Sequence, residues 1–319
     1  MDLSIVIVNW KSAQYLTPCL DSVMRHAQGI RCEIIVIDSG SFDGSAELIR
    51  ERYPAVRFVQ SQHNLGFAGA NNLACRSASS EHLLFLNPDT QVTAGALQSM
   101  LAHLRGHPEA GAVGVRLLNS DGSLQSSCIQ PFPTILNQLL SSDRLRALWP
   151  RSALWGLKPL LAAEPRAATV DVISGACVMV HRAAFDDVGQ FSEEYFMYAE
   201  DLDLCHKLRQ AHYTNYCLPQ ASVVHHGGGS SDSAPGEFSV LMMRESIWRF
   251  LRKSRGAGYA ALYRGSTLLA ALARLLLLCV TYPVRRVPSH RGAIRKWAAV
   301  LAWSLKLKRA AVPVRQERG

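Results

Sequence analysis

The run Phe196–Arg209, FMYAEDLDLCHKLR, sets Glu200, Asp201 and Asp203 within four positions, directly after an apolar, aromatic stretch. Carboxylates beside apolar residues are costly to bury without a partner. One held partly out of water gains a raised pKa, which suits a general base near neutral pH. Read as a helix starting near Ala199, the segment puts Asp201, Leu204, Cys205 and Leu208 on one face. Asp203 falls on another face with Lys207, four residues on and able to pair with it. Helical phase therefore predicts Asp201 on the apolar stripe. It leaves Glu200 and Asp203 to solvent and to the helix N-terminus, where each acid is worth about 0.3–1 kcal/mol.

A second group of residues has the chemistry of a metal and phosphate site. Asp89 in LNPDT and His225 in VVHHGGGS each follow an apolar run. One carboxylate and one imidazole are too few for an all-protein cage, yet they suit Mg²⁺ or Mn²⁺ shared with a phosphorylated ligand. His225 and His226 are adjacent, and either is a candidate ligand. The glycines at 227–229 permit close backbone approach or a hinge. Asp38 in VIDSGSFDGS and the stretch HNLGFAGANN (63–72) complete the set. Taken singly, each cluster is composed like an ordinary turn.

The elements around these clusters decide whether they meet. LSIVIVN (3–9) and CEIIVID (32–38) are near-continuous apolar runs, as strands buried on both faces should be. The first of them reads as a strand, not as a secretory signal. VRFVQ (56–60), HLLFLN (82–87) and GAVGV (111–115) read as further strands, with helices near 66–78 and 93–105 between them. Thr17-Pro18 offers an N-cap and first-turn proline for a helix to about Ala27, and Asp43 a cap for a helix over 44–52. VDVISGACVMVH (170–181) reads as one more strand-like run. Repeated βα units imply a mostly parallel sheet with right-handed crossovers, in which ligands bind beyond the carboxyl ends of the strands. Asp38, 63–72 and 86–90 all fall at that edge, so they can converge on one cleft.

Composition narrows the choice of function. With 319 residues, 48% of them hydrophobic, the chain can bury a sizeable core. Its eight cysteines form no CxxC pair, which points to buried thiols in a reducing cytoplasm rather than to disulfides or zinc. No GxxxxGK[ST] loop, GxGxxG fingerprint or GxSxG elbow is present, against a P-loop NTPase, a dinucleotide-binding enzyme and an α/β-hydrolase. The net charge of +9 divides unevenly. Residues 244–319 hold 17 Lys/Arg against Glu245 and Glu317, a net of +15, which leaves −6 on residues 1–243. A basic tail binds an anionic surface, and its Leu275–Leu278 run favours lipid over nucleic acid. In residues 262–284 Arg274 makes spanning a bilayer expensive. Ile294, Trp297, Ala298, Leu301 and Leu305 share a helical face flanked by cations, the pattern of a helix lying in the interface.

The segments SIVIVNW, VIDSGSFDGS, NLGFAGANN, LFLNPDT, SGACVMVHRAAFDDVGQFSEEYFMYAEDLDLCHKLR and VVHHGGGS occur in this order from residue 4 to about 230. Through them the chain resembles glycosyltransferase family 2, in particular its bacterial rhamnosyltransferase-like branch. The resemblance implies an α/β, Rossmann-like type-A glycosyltransferase fold carrying a C-terminal helical amphipathic tail. It implies an inverting transferase that moves a sugar, with rhamnose a candidate, from a nucleotide-diphosphate donor to a glycan or polyprenyl-linked acceptor. Asp38 matches the acid that contacts the donor base, while Val8, Asn9, Asn64, Gly66, Asn72 and Asn87 fall in the nucleotide-sugar segments. Asp89 matches the last acid of the metal motif and His225 a metal-ligating histidine. Asp201 matches the catalytic base, with Glu200 its supporting neighbour. The chain departs from the pattern at Ser39, Phe42, Asn87, Gln130 and His212. The expected organisation is a catalytic unit over 1–240, with its nucleotide half in 1–118 and its acceptor side in 119–240. The membrane-associating tail then covers 241–319, on the cytoplasmic face of a bacterial inner membrane. The rival readings are a nucleotidyltransferase, which would need a basic Gly-rich loop near the first strand, and a non-catalytic sugar-nucleotide-binding protein, which would lack Asp89 or Asp201.

Overall fold

A computed structural model describes residues 1–162, 166–227, 236–281 and 288–308. The first half alternates as its apolar runs predict: β1 Leu3–Asn9, α1 Ala13–His26, β2 Cys32–Ser39, α2 Ser45–Arg52, β3 Arg57–Ser61, α3 Gly66–Cys75 and β4 His82–Leu86. Then come β5 Thr90–Val92, α4 Ala96–Gly106 and β6 Ala110–Leu118. The middle of the chain holds short pieces: β7 Ile129–Gln130, α5 Ile135–Leu139, α6 Asp143–Leu148, β8 Ala168–Thr169 and β9 Val172–Ile173. β10 Cys177–His181, α7 Arg182–Asp187, α8 Glu200–Gln210 and β11 Thr214–His225 complete the sheet region, and α9 Gly236–Thr281 and α10 Pro288–Ser304 follow.

The main sheet runs β3-β2-β1-β4-β10-β6-β11-β5, with β8 beside β11. β3, β2, β1 and β4 pair in parallel, and so do β6 and β11, while β10 runs antiparallel between β4 and β6. This mixed, mostly parallel arrangement sends the ends of β1, β2, β4 and β11 and the start of β10 to one edge. Both faces are covered. Ile5, Ile7 and Val36 point into one core with α1 and α4, and Val6, Ile35 and Ile37 into the other with α3, α8 and α9. Alternation along each strand supplies both faces from one continuous apolar run.

Several local expectations change. α1 begins at Ala13, not at Thr17, because the Asp43 carboxylate accepts the Ala13 N–H at 3.1 Å. Pro18 then lies in the second turn, where it removes the bond to the Gln14 carbonyl and its ring crowds that carbonyl. The 170–181 run is two strands, split by the turn Ser174-Gly175-Ala176. All eight cysteines are free thiols, six of them buried.

The tail is packed onto the body. Leu241, Ile247, Phe250, Leu251 and Tyr263 of α9 and Ala299 and Trp303 of α10 join the core against α8. Contacts thus cross residue 240 along the first half of α9. Gly256, at φ 87°, bends this helix. The Arg264 guanidinium lies over both Trp248 and Trp303, whose indole N–H donates to Glu245 at 2.9 Å. The buried face of α10 is Ala299, Val300 and Trp303, whereas Ala298 and Leu305 of the expected face are exposed. Ile294, Trp297 and Leu301 of that face are half-buried, and Trp303 is seated by Glu245 and Arg264.

Candidate functional site

A cleft of about 340 Å³ opens at the edge where the strand ends meet. Val8, Asn64, Gly66, Asn87, Asp89, Glu200, Asp201 and His225 all line it. Ser174, Gly175 and Ala176 of the turn before β10 form one wall, and Met243 and Ile247 of α9 another. Neither wall was singled out from sequence. Small turn residues carry no side-chain chemistry, and the approach of α9 is a long-range contact.

Asp201 is presented by an unusual backbone. Tyr198 and Ala199, at φ 68° and 65°, are consecutive left-handed residues without glycine, a conformation that persists only where surrounding structure enforces it. The enforcement comes from α3: the Phe67 N–H donates to the Phe196 carbonyl at 3.2 Å. Gly66, itself at φ +69°, leaves room for this contact, since a Cβ there would sit 2.3 Å from that carbonyl oxygen. The Asp201 carboxylate accepts from the Gly175 N–H and the Leu202 N–H, both at 2.8 Å. These bonds aim it at the cleft. Burial nonetheless holds its pKa above the ordinary aspartate range. Glu200, 7% exposed, is pushed up to about 8 by burial and by the charge of Asp201, and its Oε2 has no hydrogen-bond partner. Burial and the neighbouring Asp201 charge thus disfavour ionisation of Glu200, while two backbone N–H groups favour the ionised form of Asp201.

The burial order expected from helical phase is reversed. Asp201 keeps partial exposure at the cleft wall, while Asp203 is 1% exposed. Phase alone treats a helix as packed on one side. α8 packs β9 and β11 on one side, and on the other the 190–195 segment and α9 enclose Asp203.

On the opposite wall, His225 Nε2 lies 3.3 Å from Asp89 Oδ1. The neighbouring His226 follows the end of β11; its N–H donates to the Asp89 carbonyl at 2.9 Å, and its Nδ1 meets Ser120 Oγ at 2.7 Å. Among the described residues no group of three or more His, Cys, Asp or Glu gathers to hold a metal. An imidazole beside a carboxylate on a cleft wall is a donor set that Mg²⁺ or Mn²⁺ accepts when a ligand completes the shell. Gly228 and Gly229 lie outside the described residues.

Three sequence candidates stand behind the cleft wall. Asp38 is fully buried and accepts from Asn9 Nδ2 (2.9 Å), the Ser41 and Phe42 N–H groups (3.0 Å each) and Gln60 Nε2 (2.6 Å). Through these bonds Asp38 and Asn9 shape the 38–45 turn. Its neighbour Ser39 reaches the cleft and accepts the Leu65 N–H at 2.8 Å. Asn72 ties α3 to Phe191 and Glu193. Among the departures from the family pattern, Gln130 lines the cleft, and His212 and Phe42 adopt positive φ, where glycine is the usual solution.

The family model for glycosyl transferase family 2 matches residues 4–189, more than half of the chain. The chain belongs to this family. It is a glycosyltransferase, and neither rival reading is favoured. An N-acetylglucosaminyl-diphospho-decaprenol L-rhamnosyltransferase of Mycobacterium tuberculosis is 29% identical over 295 residues, covering 89% of this chain and 94% of the relative. Rhamnosyltransferase WbbL of Escherichia coli K12 is 24% identical, covering 79% and 93%. A solved mannosyltransferase of Pyrobaculum calidifontis, in complex with GDP-Man and Mn²⁺, shares the fold with a TM-score of 0.59 at 17% identity, covering 96% of this chain and 86% of that one.

Proposed function

We propose that the protein is an inverting glycosyltransferase acting on a lipid-linked acceptor, with Asp201 as general base. The observation that carries the reading is the pinned Asp201 carboxylate facing the Asp89–His225 pair across one cleft. The donor sits on the nucleotide half, residues 1–118, with Val8, Asn64, Gly66 and Asn87 against it and Asp38 and Asn9 holding the turn behind it. Asp201 takes the proton of the acceptor hydroxyl as that oxygen attacks the anomeric carbon from the side opposite the leaving nucleotide diphosphate. Asp89 and His225 would hold Mg²⁺ or Mn²⁺ together with the donor diphosphate, and the bound cation would supply charge stabilisation to the leaving group. Met243 and Ile247 add an apolar wall to the acceptor side, suited to the lipid end of an acceptor. Rhamnose is the first donor sugar to test, given the two rhamnosyltransferases among the relatives. Assayed with dTDP-, UDP- and GDP-sugars and a polyprenyl-diphosphate-GlcNAc acceptor, one nucleotide class should give product of inverted anomeric configuration. EDTA should remove that turnover and Mn²⁺ restore it. Turnover indifferent to EDTA would sink the metal assignment, and product of retained configuration the mechanism.

The tail suits peripheral attachment to an anionic membrane. α9 is long and apolar enough by composition to cross a membrane. Arg274, however, lies over the Trp297 ring and points to the Leu139 carbonyl, which ties the helix to the body. Leu262, Leu269, Leu272, Leu276 and Val280 are exposed along one face of α9, and Arg291, Arg295 and Lys296 are exposed on α10. An apolar stripe beside cations fits the interface of an anionic bilayer. In flotation with phosphatidylglycerol vesicles, the wild type should rise with the lipid, and the double substitution Leu269→Glu, Leu276→Glu should stay at the bottom. Equal partitioning of the two would exclude this stripe as the anchor.

A further inference from the structure

We propose that Gln125 is the positioning residue that fixes the proton of His225 on Nδ1 and so presents its Nε2 lone pair to a metal ion. The inference rests on the reading of Asp89 and His225 as the metal pair. Gln125 lies between β6 and β7, and its backbone N–H is anchored to the Leu117 carbonyl at 2.9 Å. Its side chain meets His225 twice. Gln125 Nε2 donates to the His225 carbonyl at 2.6 Å, and Gln125 Oε1 lies 2.9 Å from His225 Nδ1.

The two contacts constrain each other. A backbone carbonyl only accepts, so the end of the amide facing it must be the NH₂ group. The end facing the imidazole is then the amide oxygen, which also only accepts. Nδ1 must therefore carry a proton, and in the neutral imidazole Nε2 is left as the bare nitrogen. The Asn87 side-chain amide lies 3.5 Å from Nε2. Asp89 Oδ1 then faces Nε2 at 3.3 Å with both atoms offering lone pairs. A divalent cation turns that opposition into coordination. A backbone carbonyl or carboxylate commonly fixes the other nitrogen of a metal-bound histidine, and a side-chain amide does so here.

The experiment uses the full chain at about pH 8, where an ordinary imidazole is neutral. Long-range ¹⁵N–¹H NMR of the metal-free wild type should show His225 as the Nδ1–H tautomer. Mn²⁺ binding, followed by calorimetry with a nucleoside diphosphate present, should weaken about 10–100-fold in Gln125→Leu. Gln125→Glu keeps an acceptor facing Nδ1 but loses the donor to the His225 carbonyl, so its affinity should fall between wild type and Gln125→Leu. An Nε2–H tautomer in the wild type, or Mn²⁺ affinity unchanged in Gln125→Leu, would overturn the assignment of Gln125 alone. A wild type with no Mn²⁺ affinity would overturn the metal pair and this inference with it.

Discussion

Replacing Asp201 with asparagine is expected to abolish sugar transfer while nucleotide-sugar binding persists. Asparagine has nearly the same shape, and its one oxygen still accepts a hydrogen bond from Gly175 or Leu202, so the start of α8 keeps its place. What it lacks is basicity toward the acceptor hydroxyl. A positioned general base contributes about 10²–10⁴-fold, so kcat should fall by at least that factor, while donor affinity by calorimetry stays close to wild type. Retained turnover would remove Asp201 from the role of base. The pH dependence has a definite sign. The base must be ionised, so wild-type kcat/KM rises with pH on its acidic limb. Burial holds the Asp201 pKa up, so that limb lies above the ordinary aspartate range. In Asp201→Asn the residual rate should lose this limb.

The second large effect concerns stability. Asp203→Leu removes a carboxylate that holds several partners at once. Lys253 Nζ of α9 lies 3.0 Å away, Ser192 Oγ donates at 2.6 Å, the Tyr195 hydroxyl donates at 3.3 Å, and Lys207 Nζ lies 3.8 Å away. Burial and the nearby Asp203 charge push the Tyr195 pKa well up, so its hydroxyl remains a donor. Lys207, whose side chain is 15% exposed, would be left as a largely buried charge without its carboxylate, and removing one member of such a pair costs about 3–5 kcal/mol. Lys253→Met should cost about 1 kcal/mol or less, since its side chain is 42% exposed and also reaches Glu194 at 3.0 Å. Urea unfolding measures both. A loss in Asp203→Leu no larger than in Lys253→Met would show that the buried carboxylate is not the anchor. The segment it holds, 190–195, leads into the strained residues before Asp201, so kcat of the variant should fall even where it remains folded.

Most strands and helices of the first 118 residues were legible, because β1, β2, β4 and β6 are short apolar runs buried on both faces, whereas the three-residue β5 was not legible as a strand. Burial of that kind leaves a continuous pattern in the chain itself. The edge to which Asp38, 63–72 and 86–90 run followed from the parallel βα repeat. The resemblance to glycosyltransferase family 2 was legible in the spaced motifs, and the match over residues 4–189 establishes it. Other features depend on residues far apart in sequence, and only the tertiary structure decided them. Asp43 moves the start of α1 from 30 residues away. Gln125 grips His225 from 100 residues away. Helical phase ranked Asp201 above Asp203 for burial, and the order is reversed because α9 lays Lys253 against the far side of α8. The first half of α9 walls the cleft and joins the core, which the basic composition of residues 244–319 does not reveal. Hydrophobic periodicity reports that an element has an apolar side. It carries no record of how many neighbours that element will meet, and here the neighbours decide which carboxylate is buried as an anchor and which remains at the cleft.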